Sequence, residues 1–474
     1  MRNYARSNRA VWLAALTALL VLAVWLTGKW LHQDWFDNPW KYPAKAASLT
    51  STTLMCWALL LATRWRPLEH WLGGLDKVYR VHSKLGRWAF YIIPIHPFCL
   101  AMDRLPDGGA FLSVLLFRVP QGDRYLWGQN AGAVAFLLMA LLVALTLWWR
   151  PAYHRWKKSH EFFGLVIGLA GLHVWLVDAD VAAYPGLRWL FWGVLAVGLA
   201  SFVSIRLLYP RFGPRYRYRV QHVDLIGDVL DITFAPKGRM MDFLPSQFVY
   251  LVVDKPGIPP EPHPYSIACG YNLQARFKLG IRMVGDYTST LDALGKGDEV
   301  TVYGPYGRFS EPFLFDHRDC VFIAGGIGIT PFLGMWHVAL HSEEGLLDGQ
   351  APEILRRHHP ELVRTWRCPR VSMFYVCRDA EQASFDKDIR REAVLSRFHG
   401  FRRLEERGHH YELYLSSEKG RFTAEYADSR VEGGLRGKLV FLCGPQDMMN
   451  AMIEQLKALG VPEGDIFFED FSLV

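Results

Sequence analysis

Apolar residues are distributed differently in the two parts of this chain. In the first 210 residues Leu, Val, Ala, Trp and Phe dominate, and apolar runs long enough to cross about 30 Å of hydrocarbon recur. Six such runs lie near residues 11–28, 46–62, 82–102, 131–149, 161–177 and 187–208. The pattern predicts a membrane domain, all α-helical, that crosses the bilayer six times within residues 1–212.

The remainder of the chain alternates apolar and polar residues over short distances. From Tyr216 to about Phe315, short strands separated by turns predict a small antiparallel β-barrel. Beyond Asp316, buried strands alternate with helices, which predicts an α/β nucleotide-binding layer. We therefore place three domains at residues 1–212, 213–316 and 317–474.

Lysine and arginine residues divide unevenly between the loops on the two sides of the predicted bundle. Fifteen lie on the side of the amino terminus and seven on the other. The positive-inside rule places both termini in the cytoplasm, so we expect a multi-pass protein of the cell membrane, in a bacterial inner membrane. Much of the net charge of +7 lies in these juxtamembrane segments, and it does not indicate a nucleic-acid partner.

Four histidines interrupt the apolar runs in two matched pairs. His82 and His96 are fourteen residues apart in the third run, and His160 and His173 are thirteen apart in the fifth. An ionisable residue at membrane depth indicates function, and neutral imidazole is an axial ligand for iron. Because the two helices run in the same direction, His82 would pair with His160 and His96 with His173. Two levels roughly 20 Å apart would suit two stacked b-type haems.

Two other interpretations of the histidines stay open. They would also serve as hydrogen-bonding links between helices or as a proton relay, although a proton-coupled transporter leaves the nucleotide-binding layer unexplained. Thirteen steps of about 100° leave His173 well round its helix from His160, so the pairing requires a deformed helix. Pro94 and Pro97 flank His96 and predict a kink there.

A glycine-rich segment follows the first buried strand of the last domain. It reads Gly325-Gly-Ile-Gly-Ile-Thr-Pro-Phe332. Glycines let the backbone pass close to a phosphate, Thr330 would cap the next helix, and Pro331 fits its first position. The start of a helix favours an anion, so the segment predicts a pyrophosphate site.

Several short motifs occur in the order found in one known family. They are His263-Pro-Tyr-Ser266, Gly285-Asp-Tyr-Thr288, Gly304-Pro-Tyr-Gly307, the glycine-rich segment, Tyr375-Val-Cys-Arg-Asp379 and Cys443-Gly-Pro445. This set resembles the ferredoxin reductase-like flavoprotein half of NADPH oxidases and ferric reductases. The six spans with their histidine pairs resemble the transmembrane half of the same family, so the likeness covers nearly the whole chain.

The resemblance implies roles for individual residues. The FAD site would comprise His263, Pro264, Tyr265, Ser266, Arg282 and Thr288. In it, Tyr265 packs on the flavin ring and Ser266 hydrogen-bonds near the reactive nitrogen. The nicotinamide cofactor would be held by Gly325, Gly326, Gly328, Thr330, Arg378 and Gly444, with Cys443 beside the nicotinamide. The catalytic residues would be Cys443, Phe471 and Ser266. Arg378 would meet a 2′-phosphate, which favours NADPH over NADH, and Phe471 would cover the flavin.

The resemblance also implies an activity, that of a flavocytochrome b of the NAD(P)H oxidase or ferric-chelate reductase type. Electrons would pass from NAD(P)H through FAD and two b-type haems to dioxygen or a ferric chelate outside. Animal NADPH oxidases carry a further histidine where this chain has Leu100, which disfavours dioxygen as the dedicated acceptor. The alternative is an electron-donor subunit whose loop from Asp103 to Asn130 docks a periplasmic partner protein or a quinone.

Overall fold

The structure, a computed structural model, forms two compact units, Asn3–Phe212 and Gly213–Val474. It describes residues 2–104, 122–149, 153–270, 275–341, 366–398 and 408–469. The first unit is helical, and the second is built on two β-sheets.

The first unit consists of helices that follow one another closely along the chain. They are α1 (Arg2–His32), α2 (Lys41–Leu61), α3 (Arg66–Leu72), α4 (Leu75–Ile92), α5 (Ile95–Asp103), α6 (Arg124–Ala144), α7 (Tyr153–His160), α8 (Phe163–Val177), α9 (Ala179–Ala183), α10 (Pro185–Val203) and α11 (Tyr209–Phe212). Short π-helical turns extend α6 and α10. Among the described residues, five helical stretches are long and apolar enough to cross a membrane: Asn8–His32, Lys41–Leu61, Arg124–Trp149, Arg155–Val177 and Pro185–Phe212.

The third predicted apolar run is the one that does not form a single long helix. Helix α4 ends at Ile92 and α5 begins at Ile95, with Pro94 between them. Proline lacks the backbone N–H that would continue the helical ladder and crowds the preceding turn, so the predicted kink is a full break. Among the described residues, the third run is thus a broken pair beside five long apolar helices, and the six membrane crossings stay a prediction.

Small residues let the helices of this unit approach closely. A Cβ atom at Gly128 would lie 2.3 Å from Val177, which fixes the contact between α6 and α8. A Cβ atom at Gly198 would lie 2.8 Å from the Sγ atom of Cys56, where α10 meets α2. Helices in lipid associate mainly through such packing because lipid tails are as apolar as the helices themselves.

Buried charges join α1, α2 and the start of α9. The Nζ atom of Lys29 lies 2.9 Å from Asp180, and the indole of Trp25 donates a hydrogen bond of 2.8 Å to the same carboxylate. Lys45 forms an ion pair with Asp178 and lies 3.7 Å from Asp180. Each of these charges has a partner of opposite sign. The ion pairs therefore fix how the three segments pack against one another, which non-directional apolar contacts alone would not do.

The first sheet of the second unit is antiparallel and curled. Its strands are β1 (Arg215–Ile226), β2 (Val229–Pro236), β3 (Phe248–Val253), β4 (His263–Ser266), β5 (Phe277–Arg282) and β6 (Glu299–Tyr306), in the order β4-β3-β6-β1-β2-β5. The edge strands approach each other at an isolated bridge between Ile267 and Leu279. Along β1, buried Tyr216 and Tyr218 alternate with exposed arginines, so one face of the sheet forms the core.

The second sheet is parallel. Its strands are β7 (Cys320–Gly325), β8 (Val371–Cys377), β9 (His410–Leu415), β10 (Leu439–Cys443) and β11 (Ile466–Glu469), in the order β11-β10-β7-β8-β9. The described helices around it are α12 (Glu311–Phe315), α13 (Thr330–Leu340), α14 (Asp386–Phe398), α15 (Ser416–Lys419), α16 (Ala424–Arg430) and α17 (Gln446–Ala458). The chain moves outward from β7 to β9 and then resumes at β10 on the other side of β7. Ligands of such sheets bind at this switch point, beyond the carboxyl ends of the strands.

Candidate functional site

Two pairs of histidine rings face each other between the α4–α5 and α7–α8 segments. The ring centroids of His82 and His160 are 6.0 Å apart, and those of His96 and His173 are 6.2 Å apart. Two metal–imidazole bonds of about 2 Å each, together with the radii of the two rings, span roughly the same distance. The structure thus brings together the residues that the helix directions paired, and their separation suits one metal ion between each pair.

Backbone carbonyl groups orient three of the four rings. The Nδ1 atom of His82 lies 2.7 Å from the carbonyl oxygen of Ala58. His96 makes the same contact with Ala44, and His173 with Gly128, each at 2.8 Å. Since a carbonyl oxygen only accepts, Nδ1 carries the proton and Nε2 keeps the lone pair that binds a metal.

His160 is the fourth ligand candidate and differs from the other three. Its Nδ1 atom is buried and has no hydrogen-bond partner among the described residues. Its ring packs instead against Phe163 and Trp156, at centroid distances of 4.8 and 5.1 Å. The donor set, two neutral imidazoles at each level, is the set that a six-coordinate haem iron takes, so these residues fit two b-type haems.

The chain between α7 and α8 explains how a spacing of thirteen residues brings His173 opposite His96. Here the backbone N–H of Phe162 donates to Ser159 at 3.0 Å, and that of Leu165 donates to Phe162 at 2.9 Å. These bonds span three residues rather than four, and such winding turns about 120° per residue instead of about 100°. The tighter turn brings His173 round toward the face that His160 occupies.

The residues of strand β4 that are predicted to bind FAD lie in the curled sheet of the second unit. Ser266 is buried opposite Phe248, and Pro264 pairs with Tyr250. The hydroxyl of Tyr265 is buried and has no hydrogen-bond partner among the described residues. Burial raises the pKa of Tyr265, so the hydroxyl stays protonated and able to donate. A buried donor of this kind fits a site that a polar ligand completes.

The other predicted FAD residues lie on β4, on β5 and in the turn after β5. The ring of His263 stacks on Tyr287 with centroids 3.7 Å apart, which joins β4 to that turn. Within the turn, the Thr288 hydroxyl accepts a hydrogen bond of 2.9 Å from the N–H of Gly285. Arg282 ends β5, and its Nε atom donates to Asp228 at 2.6 Å.

The glycine-rich loop follows β7 and lies against the chain that follows β10. A Cβ atom at Gly328 would be 2.4 Å from the carbonyl oxygen of Cys443. One at Gly444 would be 3.0 Å from the Cα atom of Gly325, and Gly326 has a φ of +54°. Only glycine permits this approach of two backbones, because any side chain would collide with main-chain atoms that cannot move aside. The predicted phosphate loop and Cys443 therefore meet at the switch point of the parallel sheet.

Three predicted site residues remain, namely Thr330, Arg378 and Phe471. Thr330 is the first residue of α13, and its hydroxyl donates to the carbonyl of Ile327 at 3.1 Å. The prediction that it caps the helix was wrong, because the chain already winds as a 3₁₀ turn from Gly326 to Ile329. Arg378 follows β8 and is exposed. Phe471 lies outside the described residues.

Some residues that shape the site were missed from the sequence. A Cβ atom at Gly132 would lie 2.6 Å from the Nδ1 atom of His173, so this glycine makes room for the imidazole. A glycine inside an apolar helix was the available signal. Lys45 is the residue after Ala44, whose carbonyl orients His96, and it forms an ion pair with Asp178. From the sequence, Lys45 was counted only for its charge.

Two regions of this chain match known protein families. Residues 47–171 match the family described as the ferric reductase like transmembrane component, and residues 322–454 match the oxidoreductase NAD-binding domain. One region of the chain is thus similar to a ferric reductase-like transmembrane component, and a later region is similar to an oxidoreductase NAD-binding domain. The resemblance drawn from the motifs is thereby confirmed. The ferric reductase-like region contains His82, His96 and His160 and ends two residues before His173. The NAD-binding region contains the glycine-rich loop and Cys443.

Individual relatives are distant. Ferric reduction oxidase 4 of Arabidopsis thaliana is 27% identical over 330 residues, which are 64% of this chain and 42% of that protein. A flavohemoprotein of a Burkholderia species is 26% identical over 249 residues, 50% of this chain and 53% of that protein. The chain thus spans about half the length of these relatives. A solved flavohaem-like FAD/NAD-binding domain of nitric oxide dioxygenase from Vibrio cholerae aligns with 54% of this chain and 98% of its own, at 19% identity and a TM-score of 0.41.

Proposed function

We propose that this chain is a transmembrane oxidoreductase that takes electrons from cytoplasmic NAD(P)H and delivers them to an acceptor on the far side of the membrane. Its resident cofactors are FAD and two b-type haems. The observation that carries the proposal is the pair of histidine contacts at ring distances of 6.0 and 6.2 Å, with carbonyl groups orienting three of the rings. Hydrogen-bonding links between helices would need no such paired separation.

The membrane domain covers residues 1–212 in this proposal and crosses the bilayer six times, the third time as the broken pair α4 and α5. Both termini lie in the cytoplasm of a bacterial inner membrane, so His82 and His160 form the inner level and His96 and His173 the outer one. Residues 213–316 form the FAD domain and residues 317–474 the NAD(P)-binding domain. Labelling of single cysteines introduced at each terminus with a membrane-impermeant reagent tests this orientation.

Bound FAD would supply the conversion of the two-electron chemistry of the nicotinamide into single-electron transfer, and bound haem iron would supply single-electron transfer across the bilayer. The protein's part is to hold these groups in place. Ala58, Ala44 and Gly128 keep three histidine ligands in the tautomer that presents Nε2. The apolar helices around them exclude water from the electron path.

The cytoplasmic domains hold the flavin and the nucleotide. Tyr265 and Ser266 contact the flavin, while His263, Arg282 and Thr288 lie at its phosphates. The glycine-rich loop holds the phosphates of NAD(P)H through its backbone, and Cys443 and Gly444 border the nicotinamide. The close approach of Gly328 to Cys443 supports this arrangement, because it brings the phosphate loop and the nicotinamide border to one place. Arg378 meets the 2′-phosphate of NADPH, and Phe471 covers the flavin.

Ferric chelate is the acceptor we favour over dioxygen. A relative at 27% identity carries the name ferric reduction oxidase, and Leu100 stands where animal NADPH oxidases have a histidine. Transfer to a periplasmic partner protein or a quinone remains the alternative. Most of the loop that would dock such a partner lies outside the described residues, apart from its last part with exposed Trp127.

One anaerobic experiment tests the whole path. The detergent-purified protein is supplied with FAD and NADPH without oxygen, the haem spectrum is recorded, and then air or ferric citrate is admitted. We expect both haems to be reduced by NADPH and reoxidised faster by ferric citrate than by air. A purified protein without haem, or haem that neither NADPH nor NADH reduces, would overturn the proposal. Reoxidation by neither oxidant, with reduction intact, would favour the partner protein or quinone.

A further inference from the structure

Two histidines and one glutamate, none of them among the site residues described above, converge in the nucleotide-binding layer. His337 lies in α13, His341 follows that helix directly, and Glu392 lies in α14. One potential metal-ligand atom from each of the three lies within 4.8 Å of the other two. Among the described residues, these three side chains form the group of histidine, cysteine or carboxylate residues whose potential ligand atoms all lie within that distance of one another.

Helix geometry explains why the two histidines lie together. Residues four apart share a face of an α-helix, and the rings of His337 and His341 have centroids 4.3 Å apart with planes inclined by 30°. The Nδ1 atom of His341 donates to the carbonyl oxygen of His337 at 3.0 Å. That bond fixes the tautomer and directs coordination to Nε2, as backbone acceptors do for metal-binding histidines.

Glu392 supplies the charge that a cation site requires. The carboxylate forms a hydrogen bond with Nδ1 of His337. The His337 and Glu392 side chains are 37% and 32% exposed, so an ion reaches them from solvent without opening the fold.

The backbone on the other side of His337 restricts the ring further. A Cβ atom at Gly270 would lie 2.2 Å from the Cδ2 atom of His337, so only glycine leaves space for the imidazole. Lys278, a cation whose charge acts on Glu392, is held by Asp231 at 2.6 Å. Its charge is thereby partly neutralised, and the position of His337 is set before any ion binds.

We propose that His337, His341 and Glu392 form a binding site for a divalent transition metal, with Zn²⁺ as the ion that best suits the ligands. Two imidazole nitrogens and one carboxylate oxygen are a set that zinc takes with a fourth position left to water. The same set disfavours Mg²⁺ and Ca²⁺, which prefer oxygen ligands. On binding, the ion replaces the proton shared by His337 and Glu392, and that proton is released to solvent.

The position of the site gives the ion a structural effect. A metal bound here joins α13 to α14, and α13 begins at Thr330, within the glycine-rich segment. Because the ion binds only the folded arrangement, it stabilises the nucleotide-binding layer in proportion to its concentration. The site is separate from the four membrane histidines, so it fills whether or not the proposed electron path is correct.

Zinc affinity of the full-length, haem-loaded protein in detergent provides the test. A fluorescent zinc chelator competes with wild-type protein, His341→Gln and Glu392→Gln, and with His222→Gln as a control whose exposed histidine lies on β1. We expect a zinc equivalent that is weakened at least tenfold in the first two variants and retained in the control. The haem spectrum should be the same in all four proteins, and Mg²⁺ should not displace the zinc.

Thermal unfolding supplies a second readout that does not depend on the chelator. Zinc should raise the apparent melting temperature of wild type and His222→Gln but not of Glu392→Gln, which keeps the shape of the side chain and a hydrogen bond to His337. Equal zinc affinity in wild type, His341→Gln and Glu392→Gln would overturn the proposal. Zinc that binds only as haem is lost would overturn it as well, because the membrane histidines would then be the ligands.

Discussion

The imidazole rings of His96 and His173 lie 6.2 Å apart, and each ring donates through Nδ1 to a backbone carbonyl on a different helix. The carbonyl of Ala44 orients His96, and that of Gly128 orients His173. Two neutral rings held in this way present their Nε2 atoms to the space between them. This is how a protein prepares two ligands for a single metal ion.

Removing one ring of that pair should remove one haem. We expect His173→Ala to lower the haem content of the purified protein by about half, since the level of His82 and His160 keeps both ligands. The pyridine haemochrome assay measures this content directly. His32→Ala is the matched control, because His32 stacks on Tyr184 and makes no ring contact with another histidine in the part of the chain that the structure describes. Unchanged haem content in His173→Ala would contradict the assignment.

Gly132 should be needed for the same haem level without being a ligand. In Gly132→Ala, the new methyl group would lie 2.6 Å from the Nδ1 atom of His173. The ring must tilt away from Gly128, which we expect to cost about 1–3 kcal/mol and to shift the redox potential of that haem or release it. Potentiometric titration measures the effect. Gly193→Ala should change nothing, because a Cβ atom there meets no atom within 4 Å.

The close packing of the glycine-rich segment against the end of β10 depends on Gly328. A Cβ atom at this position would lie 2.4 Å from the carbonyl oxygen of Cys443, so Gly328→Ala must separate the loop from β10. We expect the KM for NADPH to rise at least tenfold, a loss of about 1.4 kcal/mol, while haem content stays constant. Steady-state kinetics with ferric citrate gives both values. Gly295→Ala is the control, since its nearest neighbour would be 4.0 Å away.

Replacing Tyr265 by phenylalanine should weaken FAD binding but raise the stability of the FAD-free protein. Its buried hydroxyl has no partner among the described residues, so Tyr265→Phe removes an unsatisfied donor and should stabilise the FAD-free protein by about 1 kcal/mol. With FAD present the lost hydrogen bond should weaken flavin affinity roughly fivefold to tenfold. Flavin fluorescence titration and thermal unfolding measure the two effects.

Tyr426→Phe provides the comparison for that experiment. The Tyr426 hydroxyl donates to Glu412, so its loss should lower stability and leave flavin affinity unchanged. If Tyr265→Phe bound FAD as tightly as wild type, the hydroxyl would not contact the flavin.

Asp298 should make stability depend on pH. Burial opposes its ionisation, but hydrogen bonds from Lys255 at 2.7 Å and from the N–H of Gly295 at 2.8 Å hold the pKa of Asp298 below its usual value. A folded-state pKa below the unfolded one stabilises the protein above about pH 4, and the contribution is lost as pH falls through the folded value.

The variant Asp298→Asn isolates this contribution. It should be less stable than wild type by about 0.5–1 kcal/mol at pH 7, because the carboxylate is partly exposed and solvent screens the ion pair. The difference in urea midpoints between the two proteins should shrink as pH is lowered below about 4. A difference that grows toward acid would mean that the shift has the opposite sign.

Local patterns of the sequence determined the apolar helices and the glycine-rich segment. Runs of apolar residues predict membrane-spanning helices, because the length and hydropathy of a segment decide whether it can span a bilayer. The glycine-rich loop between a buried strand and a helix was likewise readable, since the close approach of Gly328 to Cys443 needs glycine whatever surrounds it. The roles of the site residues toward haem, FAD and NADPH stay predictions.

Only the tertiary structure decided the rest, because it depends on contacts between residues far apart in the chain. The break at Pro94 and the tight turn before Leu165 set the direction in which the histidines point, and helical periodicity alone had left His173 out of line. The carbonyl groups that orient the rings come from α2 and α6, and no spacing in the sequence identifies them. The same holds for Glu392, which meets His337 only because α14 packs beside α13. Composition and spacing determine which residue types are present, whereas packing determines which of them share a site.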